Sequence, residues 1–115
     1  DYRQLRVFQD AHQLVKHVYA TTRNFPDSER FGLTSQIQRA AVSVPSNIVE
    51  GCGRTSTREY MRFLEIAYSS SCELRYQLLL ARELELTEVP KFLEDLAEQV
   101  SKQLGRLLQS LGEAS

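Results

Sequence analysis

Apolar residues recur at helical spacing along nearly the whole chain, and four stretches carry the pattern. The first predicts a helix from about Leu5 to Phe25, with Val7, Ala11, Leu14, Val18 and Phe25 on one stripe and Phe8, Val15 and Thr22 widening it. Gln9, Asp10, Gln13, Lys16 and His17 take the other side. Phe25-Pro26-Asp27 ends the helix, because a residue before proline is driven out of the α region. The second stretch predicts a helix from Leu33 or Thr34 to Gly51, on the stripe Leu33, Ile37, Ala40, Ala41, Val44 and Ile48. Pro45 opposes it, since proline removes one hydrogen bond and crowds the preceding turn. Val42-Ser43-Val44 also fits a short strand, but a lone strand would have no partner in this chain, so a helix kinked near Ala41 is expected.

The third stretch has the clearest start. Ser56-Thr57-Arg58-Glu59 has the form of a capping box, with Ser56 as N-cap and Glu59 reaching back. Tyr60, Leu64, Ala67, Ser71, Leu74, Leu78 and Ala81 alternate steps of four and three, as in bundle packing. The expected helix is about 28 residues, or about 42 Å long. The fourth opens after Thr87, tolerates Pro90 in its first turn, and carries Leu93, Leu96, Val100, Leu104, Leu107 and Leu111 before a stop at Gly112. Four amphipathic helices joined by short connections bury their stripes most simply as an all-α, antiparallel up-down four-helix bundle, a single domain over 1–115.

Two of the helices are apolar on more than one side. In the second, Val42 and Val49 lie almost opposite the main stripe. In the third, Met61, Tyr68, Cys72 and Leu79 sit on a flank roughly 100° from the core stripe, with Tyr76 beyond and Ile66 and Leu80 further round. A bundle offers one interior, so a second apolar side calls for a second burial. The economical reading is a homo-oligomer with Val42, Val49, Met61, Tyr68, Cys72, Tyr76 and Leu79 at its interface. The plainer alternative is a wide core edge with scattered exposed apolar residues.

Composition narrows the function. The chain has 115 residues, 42% apolar and 25% charged, with a formal net charge of −1. That length suits one core. Five glycines and three prolines exclude a collagen-like or low-complexity chain. No apolar run approaches the roughly 20 residues of a membrane span, and Asp1-Tyr2-Arg3-Gln4-Leu5 has no signal-peptide character. Two cysteines make no disulfide framework, so a cytoplasmic location is expected. His12 and His17 point apart on a helix and lack the Glu-x-x-His spacing of di-iron bundles, and Cys52 and Cys72 lack zinc spacing, so no metal or cofactor is expected. Gly51-Cys52-Gly53-Arg54-Thr55 lacks the Gly-Lys-Ser/Thr ending of a phosphate loop; Gly51 is expected to end the second helix and Gly53 to help the chain turn. With no nucleophile–base pair and no paired carboxylates, the chain reads as a non-enzyme.

The small net charge hides a division. Residues 1–63 carry nine Lys/Arg against six Asp/Glu, a balance of +3, and residues 64–115 carry five against nine, a balance of −4. The basic part centres on Arg39 and on Arg54, Arg58 and Arg62. Arg54 and Arg58 stand at a helix N-terminus, where cations are disfavoured, and Glu50 stands at a helix C-terminus, where anions are. A structural resolution has Glu50 folding across the turn to Arg54, Arg58 or the free N–H groups. A functional one makes the arginines and the helix terminus an anion site. Arg39, Ser43, Ser46 and Glu50 share a polar side of the second helix.

The run Phe31-Gly32-Leu33-Thr34-Ser35-Gln36-Ile37-Gln38-Arg39-Ala40-Ala41, followed by Ser43-Val44-Pro45-Ser46-Asn47-Ile48-Val49-Glu50-Gly51, resembles the signature of the 23S ribosomal RNA intervening-sequence proteins. The resemblance continues through Arg54, Glu59-Tyr60, Phe63-Leu64, Ile66-Ala67, Ser70 and Glu73-Leu74, and begins in Leu5-Arg6-Val7-Phe8-Gln9. Here Gln38 precedes Arg39 where members often have a second arginine, Phe8 replaces a frequent tryptophan, and Cys52 a frequent aromatic. The resemblance implies a bacterial four-helix-bundle protein. Accessory variability proteins of diversity-generating retroelements are similar in fold, which implies a homopentamer that binds nucleic acid. Pro45, Asn47, Glu50, Gly51, Ser56 and Glu59 are then structural residues. The expected function is RNA or DNA binding by an oligomer through Arg39, Arg54, Arg58 and Arg62; the alternative is an assembly scaffold for a protein partner.

Overall fold

The computed structural model describes residues 1–114, and its main elements are four helices: α1 (Arg6–Thr22), α2 (Leu33–Cys52), α3 (Thr57–Glu83) and α4 (Lys91–Ala114). Among the described residues there is no strand. Leu14 and Val18 of α1, Ile37 and Ile48 of α2, Leu64, Leu74 and Leu78 of α3, and Leu93, Val100 and Leu104 of α4 are fully buried in one continuous core. These are the stripe residues of the sequence pattern, and burying such side chains is the main driving force for the fold. The helices pack in the order α1 on α2, α2 on α3, α3 on α4 and α4 on α1, in a body of 46 × 22 × 20 Å.

Polar contacts mark each seam. Between α2 and α3 the hydroxyls of Ser43 and Ser70 share a hydrogen bond of 2.7 Å. Between α3 and α4 the buried hydroxyls of Ser71 and Ser101 lie 2.8 Å apart. Ser71 Oγ spends its proton on Tyr68 O at 2.6 Å, so Ser101 is the donor in that pair. Asp10 of α1 accepts from Gln99 and Gln103 of α4 at 3.1 and 2.8 Å, and Gln38 of α2 donates to Thr22 Oγ1 of α1 at 3.0 Å.

Element ends depart from the sequence pattern in α1, α2 and α4, while Pro45 leaves α2 a helix as the pattern predicts. α1 stops at Thr22, and Phe25 is instead a buried plug in the following turn, its N–H bonded to Thr22 O at 3.0 Å. α2 runs unbroken through Pro45, which is buried, so the alternative strand at Val42-Ser43-Val44 does not form. Asn47 Nδ2 donates to both Ser43 O (2.8 Å) and Ser43 Oγ (3.0 Å), adding bonds beside the turn that proline weakens. Gly51 does not end α2, which continues to Cys52 and is capped by Gly53 in the right-handed region. The need for glycine at 51 is close approach: a Cβ there would stand 3.0 Å from Tyr60 Cδ1 and 3.1 Å from Phe63 Cβ. α4, finally, passes through Gly112 to Ala114 because its apolar face continues through Leu107, Leu108 and Leu111; Pro90 stands just before the helix, and its carbonyl accepts from Leu93 N at 3.0 Å.

Half of the expected capping box forms at the start of α3: among the described residues the Glu59 carboxylate makes no return bond to Ser56 N. Ser56 Oγ accepts from Glu59 N at 3.1 Å. At the other end Leu86 N donates to Ala81 O and Glu85 N to Arg82 O, both at 3.1 Å, which is the Schellman closure. The left-handed position of that motif is filled by Glu85, at φ 56°.

Candidate nucleic-acid interface

The α2–α3 turn is where backbone geometry concentrates positive charge. α2 ends at Cys52 and α3 begins at Thr57, so Arg54 lies in the turn itself and Arg58 and Arg62 lie one helical turn apart on α3. Glu50 does reach across: Arg54 Nη2 donates to Glu50 Oε2 at 2.9 Å. The same guanidinium lies over the Phe63 ring, 4.6 Å from its centroid, a cation–π contact that fixes it further. Arg54 is therefore held by its own chain. Arg58 and Arg62 are exposed, and no carboxylate among the described residues lies within ion-pair distance of either.

Arg39 is not part of this group. It lies in the groove between α2 and α3, beside Ser43, Ser70, Glu73 and Gln77. Glu73 is eleven residues beyond Arg62 on α3, about 16 Å along the helix axis. The four arginines thus form a pair (Arg58 and Arg62), a tethered neighbour (Arg54) and an outlier (Arg39).

A second cavity of about 360 Å³ adjoins the turn, with Cys52, Arg54, Ser56 and Tyr60 in its lining. Burial pushes the Tyr60 phenol up to about 12, and the adjacent Cys52 adds to the shift by charge and by hydrogen bonding. No nucleophile–base pair accompanies them here, since the histidines lie on α1: His12 stacks on Phe8 and His17 meets the edge of Phe92. Among the described residues no group of three or more His, Cys, Asp or Glu is placed to hold a metal ion, and no helix is long and apolar enough to cross a membrane.

The apolar flank residues fall on two separate seams. Val42 and Val49 share the side of α2 that carries Gln38, the residue bonded to α1, and both are exposed. Met61 and Tyr68 lie over Gly112 and Gly105 of α4, so their row follows the α3–α4 seam. Met61 and Cys72 are half-buried there, while Tyr68, Leu79 and Tyr76 are exposed, Tyr76 by 61%. Phe31, 91% exposed in the α1–α2 connection with Arg30 over its ring, was outside any periodic stretch and so gave no helical signal.

Taken together, these features define an all-helical protein whose four helices share one core and which carries two unpaired arginines, Arg58 and Arg62, beside one inter-helix turn. The chain belongs to the 23S rRNA-intervening sequence protein family, whose model matches residues 3–109. The crystal structure of a protein of unknown function from the S23 ribosomal protein family of Bacteroides thetaiotaomicron is similar to it, with a TM-score of 0.82 at 19% identity, covering 89% of this chain and 97% of that one. At that identity the likeness is one of fold. No curated protein matches the chain.

Proposed function

We propose that the chain is a non-enzymatic, antiparallel up-down bundle that assembles into a cyclic homo-oligomer and binds nucleic acid through its spare arginines. The observation that carries the reading is the Arg58–Arg62 pair: two exposed guanidiniums a helical turn apart, with no carboxylate of the described chain to neutralise them. Guanidinium forks suit phosphate oxygens, and phosphate contacts dominate sequence-independent affinity. The family's description, which refers to 23S rRNA, agrees with a nucleic-acid ligand.

Assembly is supported by the position of the two apolar rows. Val42 and Val49 are on the α1–α2 side and Tyr68, Tyr76 and Leu79 on the α3–α4 side, so one copy meets the next through two different patches. Such a head-to-tail contact closes into a ring when its rotation permits. A ring repeats Arg58 and Arg62 in every copy and turns a weak pair into a multivalent surface.

Two measurements on the same preparation test this: mass by light scattering, and binding of labelled single-stranded RNA and duplex DNA across a salt series. The expected result is an oligomer whose affinity falls steeply as salt rises. A monomer overturns the assembly reading, and no binding of either ligand at low salt overturns the nucleic-acid reading. A protein captured equally by the Arg58→Ala/Arg62→Ala variant after nuclease treatment would favour the scaffold instead.

A further inference from the structure

Resting on the assembly reading above, we propose that the Arg30–Phe31 tip of one copy docks into a hollow in the α3–α4 connection of the next. Phe31 is 91% exposed, and the Arg30 guanidinium lies over its ring, 5.4 Å from the centroid. A guanidinium stacked in this way keeps its N–H edge free for a carboxylate. None is supplied locally: Glu29 turns back toward Gly32, where a Cβ would stand 3.6 Å from its Oε1. Neither Glu29 nor Asp27 lies within ion-pair distance of Arg30, and Arg23, exposed in the same connection, is also unpaired among the described residues. The α1–α2 connection thus carries an aromatic ring and a guanidinium outward with no partner for either beyond each other.

The complementary surface is in the α3–α4 connection. A hollow of about 370 Å³ is lined there by Arg82, Glu85, Thr87, Glu88 and Val89. Val89, 8% exposed, lies deepest, and Glu85 and Glu88 are exposed at the rim. Arg82 is spent on Glu94 at 2.8 Å. Glu83, Glu85 and Glu88 have no cation within ion-pair distance among the described residues. Unmatched carboxylates around an apolar floor suit a phenyl ring that carries a guanidinium. A metal ion would leave the floor unused, and no three of the acidic groups converge to hold one.

Position makes a second copy the occupant. His17, near the end of α1, meets the edge of Phe92, at the start of α4, with ring centroids 5.0 Å apart, so both connections lie at one end of the bundle. The helices pack in cyclic order, which puts the α1–α2 pair and the α3–α4 pair on opposite edges of that end. A tip and a hollow so placed do not meet within one chain, but they do between neighbours standing side by side in a ring. The same arrangement aligns the apolar rows. Val42 is nine residues from the start of α2, about 14 Å below that end, and Tyr76 is seven residues from the end of α3, about 11 Å below it. An aromatic–arginine pair filling a pocket is also the composition that dominates interface energetics.

The test follows the mass of the full chain by light scattering through a dilution series, with circular dichroism to check that each exposed change leaves the helices intact. Phe31→Ala and Arg30→Glu should each raise the concentration at which the oligomer dissociates by about tenfold. Glu88→Arg should do the same; it is preferred to a change at Glu85, whose left-handed backbone would add a strain effect of its own. The charge exchange Arg30→Glu/Glu88→Arg should recover most of the loss, because the pair is restored with its signs reversed. Glu73→Arg, at a carboxylate equally unpaired but remote from both connections, should change nothing. A dissociation midpoint unmoved by Phe31→Ala and Arg30→Glu, a double variant no better than the single ones, or an equal loss from Glu73→Arg overturns the docking contact and leaves the assembly reading standing. An unmodified chain that is monomeric throughout overturns both.

Discussion

The two connections that flank α3 handle charge in opposite ways. Around the α3–α4 connection the cations are matched: Arg82 meets Glu94 at 2.8 Å, Lys91 meets Asp95 at 3.4 Å, and Glu98 is shared by Arg75 (3.6 Å) and Lys102 (3.7 Å). Around the α2–α3 turn only Arg54 is matched, by Glu50 at 2.9 Å, and Arg58 and Arg62 are left over. Exposed pairs of the first kind add little to stability; they chiefly silence the surface they occupy. The net charge of −1 is therefore the sum of a first half at +3 with cations to spare and a second half at −4 in which four of the five cations are paired. The two connections differ in backbone as well. The α2–α3 turn is built on a glycine pressed against Tyr60 and Phe63, the α3–α4 connection on a glutamate in a conformation that favours glycine.

The largest effect should come from crowding the tighter turn. Gly51→Val places side-chain atoms where even a Cβ would be 3.0 Å from Tyr60 and 3.3 Å from its carbonyl oxygen, so a loss of about 3 kcal/mol in a urea titration is expected. Gly53→Ala is the control, because its Cβ would meet only Glu50 O at 3.5 Å. Equal midpoints for the two variants would mean that α2 and α3 separate freely at this end. Next in size is the response of nucleic-acid binding. Arg58→Ala and Arg62→Ala should each lower the salt slope by about one, while Arg75→Ala, already paired with Glu98, should leave it unchanged. A drop with Arg75→Ala as large as with Arg58→Ala would erase the distinction between matched and spare arginines.

The four helices were legible because each repeats its apolar residues over several turns, so a single discordant residue such as Pro45 was outvoted by Ile37, Ala41, Val44 and Ile48. Single-residue punctuation was less reliable. Local preference alone makes Gly51 and Gly112 stops, yet one answers to the approach of Tyr60 and Phe63 from α3 and the other lies within a helix whose stripe simply continues. The Glu50–Arg54 bond was legible, since it joins neighbours on one helical turn. The separation of Arg39 from the other arginines was not. It depends on which turn of α3 stands opposite α2, and that register is set by long-range packing.

Alkaline stability sharpens the comparison on the side of the α2–α3 turn. The Tyr60 phenol, pushed up from its ordinary 10.0 to about 12 by burial and by Cys52, keeps its proton in the folded chain where the unfolded chain has lost it. The sign follows from linkage: the contribution is whole below pH 10 and is lost as pH rises through the interval to about 12. Denaturant titrations across that interval should show a decline that is shallower in Tyr60→Phe. An identical decline in both proteins would place the alkaline sensitivity elsewhere.

The smallest effect belongs to the other connection, and it is a gain. Glu85 occupies the left-handed position of the closure that ends α3, at φ 56°, where a side chain costs about 1 kcal/mol relative to glycine. The closure itself does not need the glutamate: its two bonds, Leu86 N to Ala81 O and Glu85 N to Arg82 O, are made by backbone. The Glu85 carboxylate takes no part in the ion pairs of this end, which involve Arg82, Glu94, Lys91 and Asp95. Glu85→Gly should therefore relieve the strain while keeping both bonds. Glycine also frees the unfolded chain, which returns part of the gain. The net expectation is a stabilisation of about 0.5 kcal/mol, read as a higher urea midpoint at unchanged slope. A lower midpoint would mean that the glutamate side chain holds the connection in a way its backbone does not, and that the matched end of the molecule depends on more than its ion pairs.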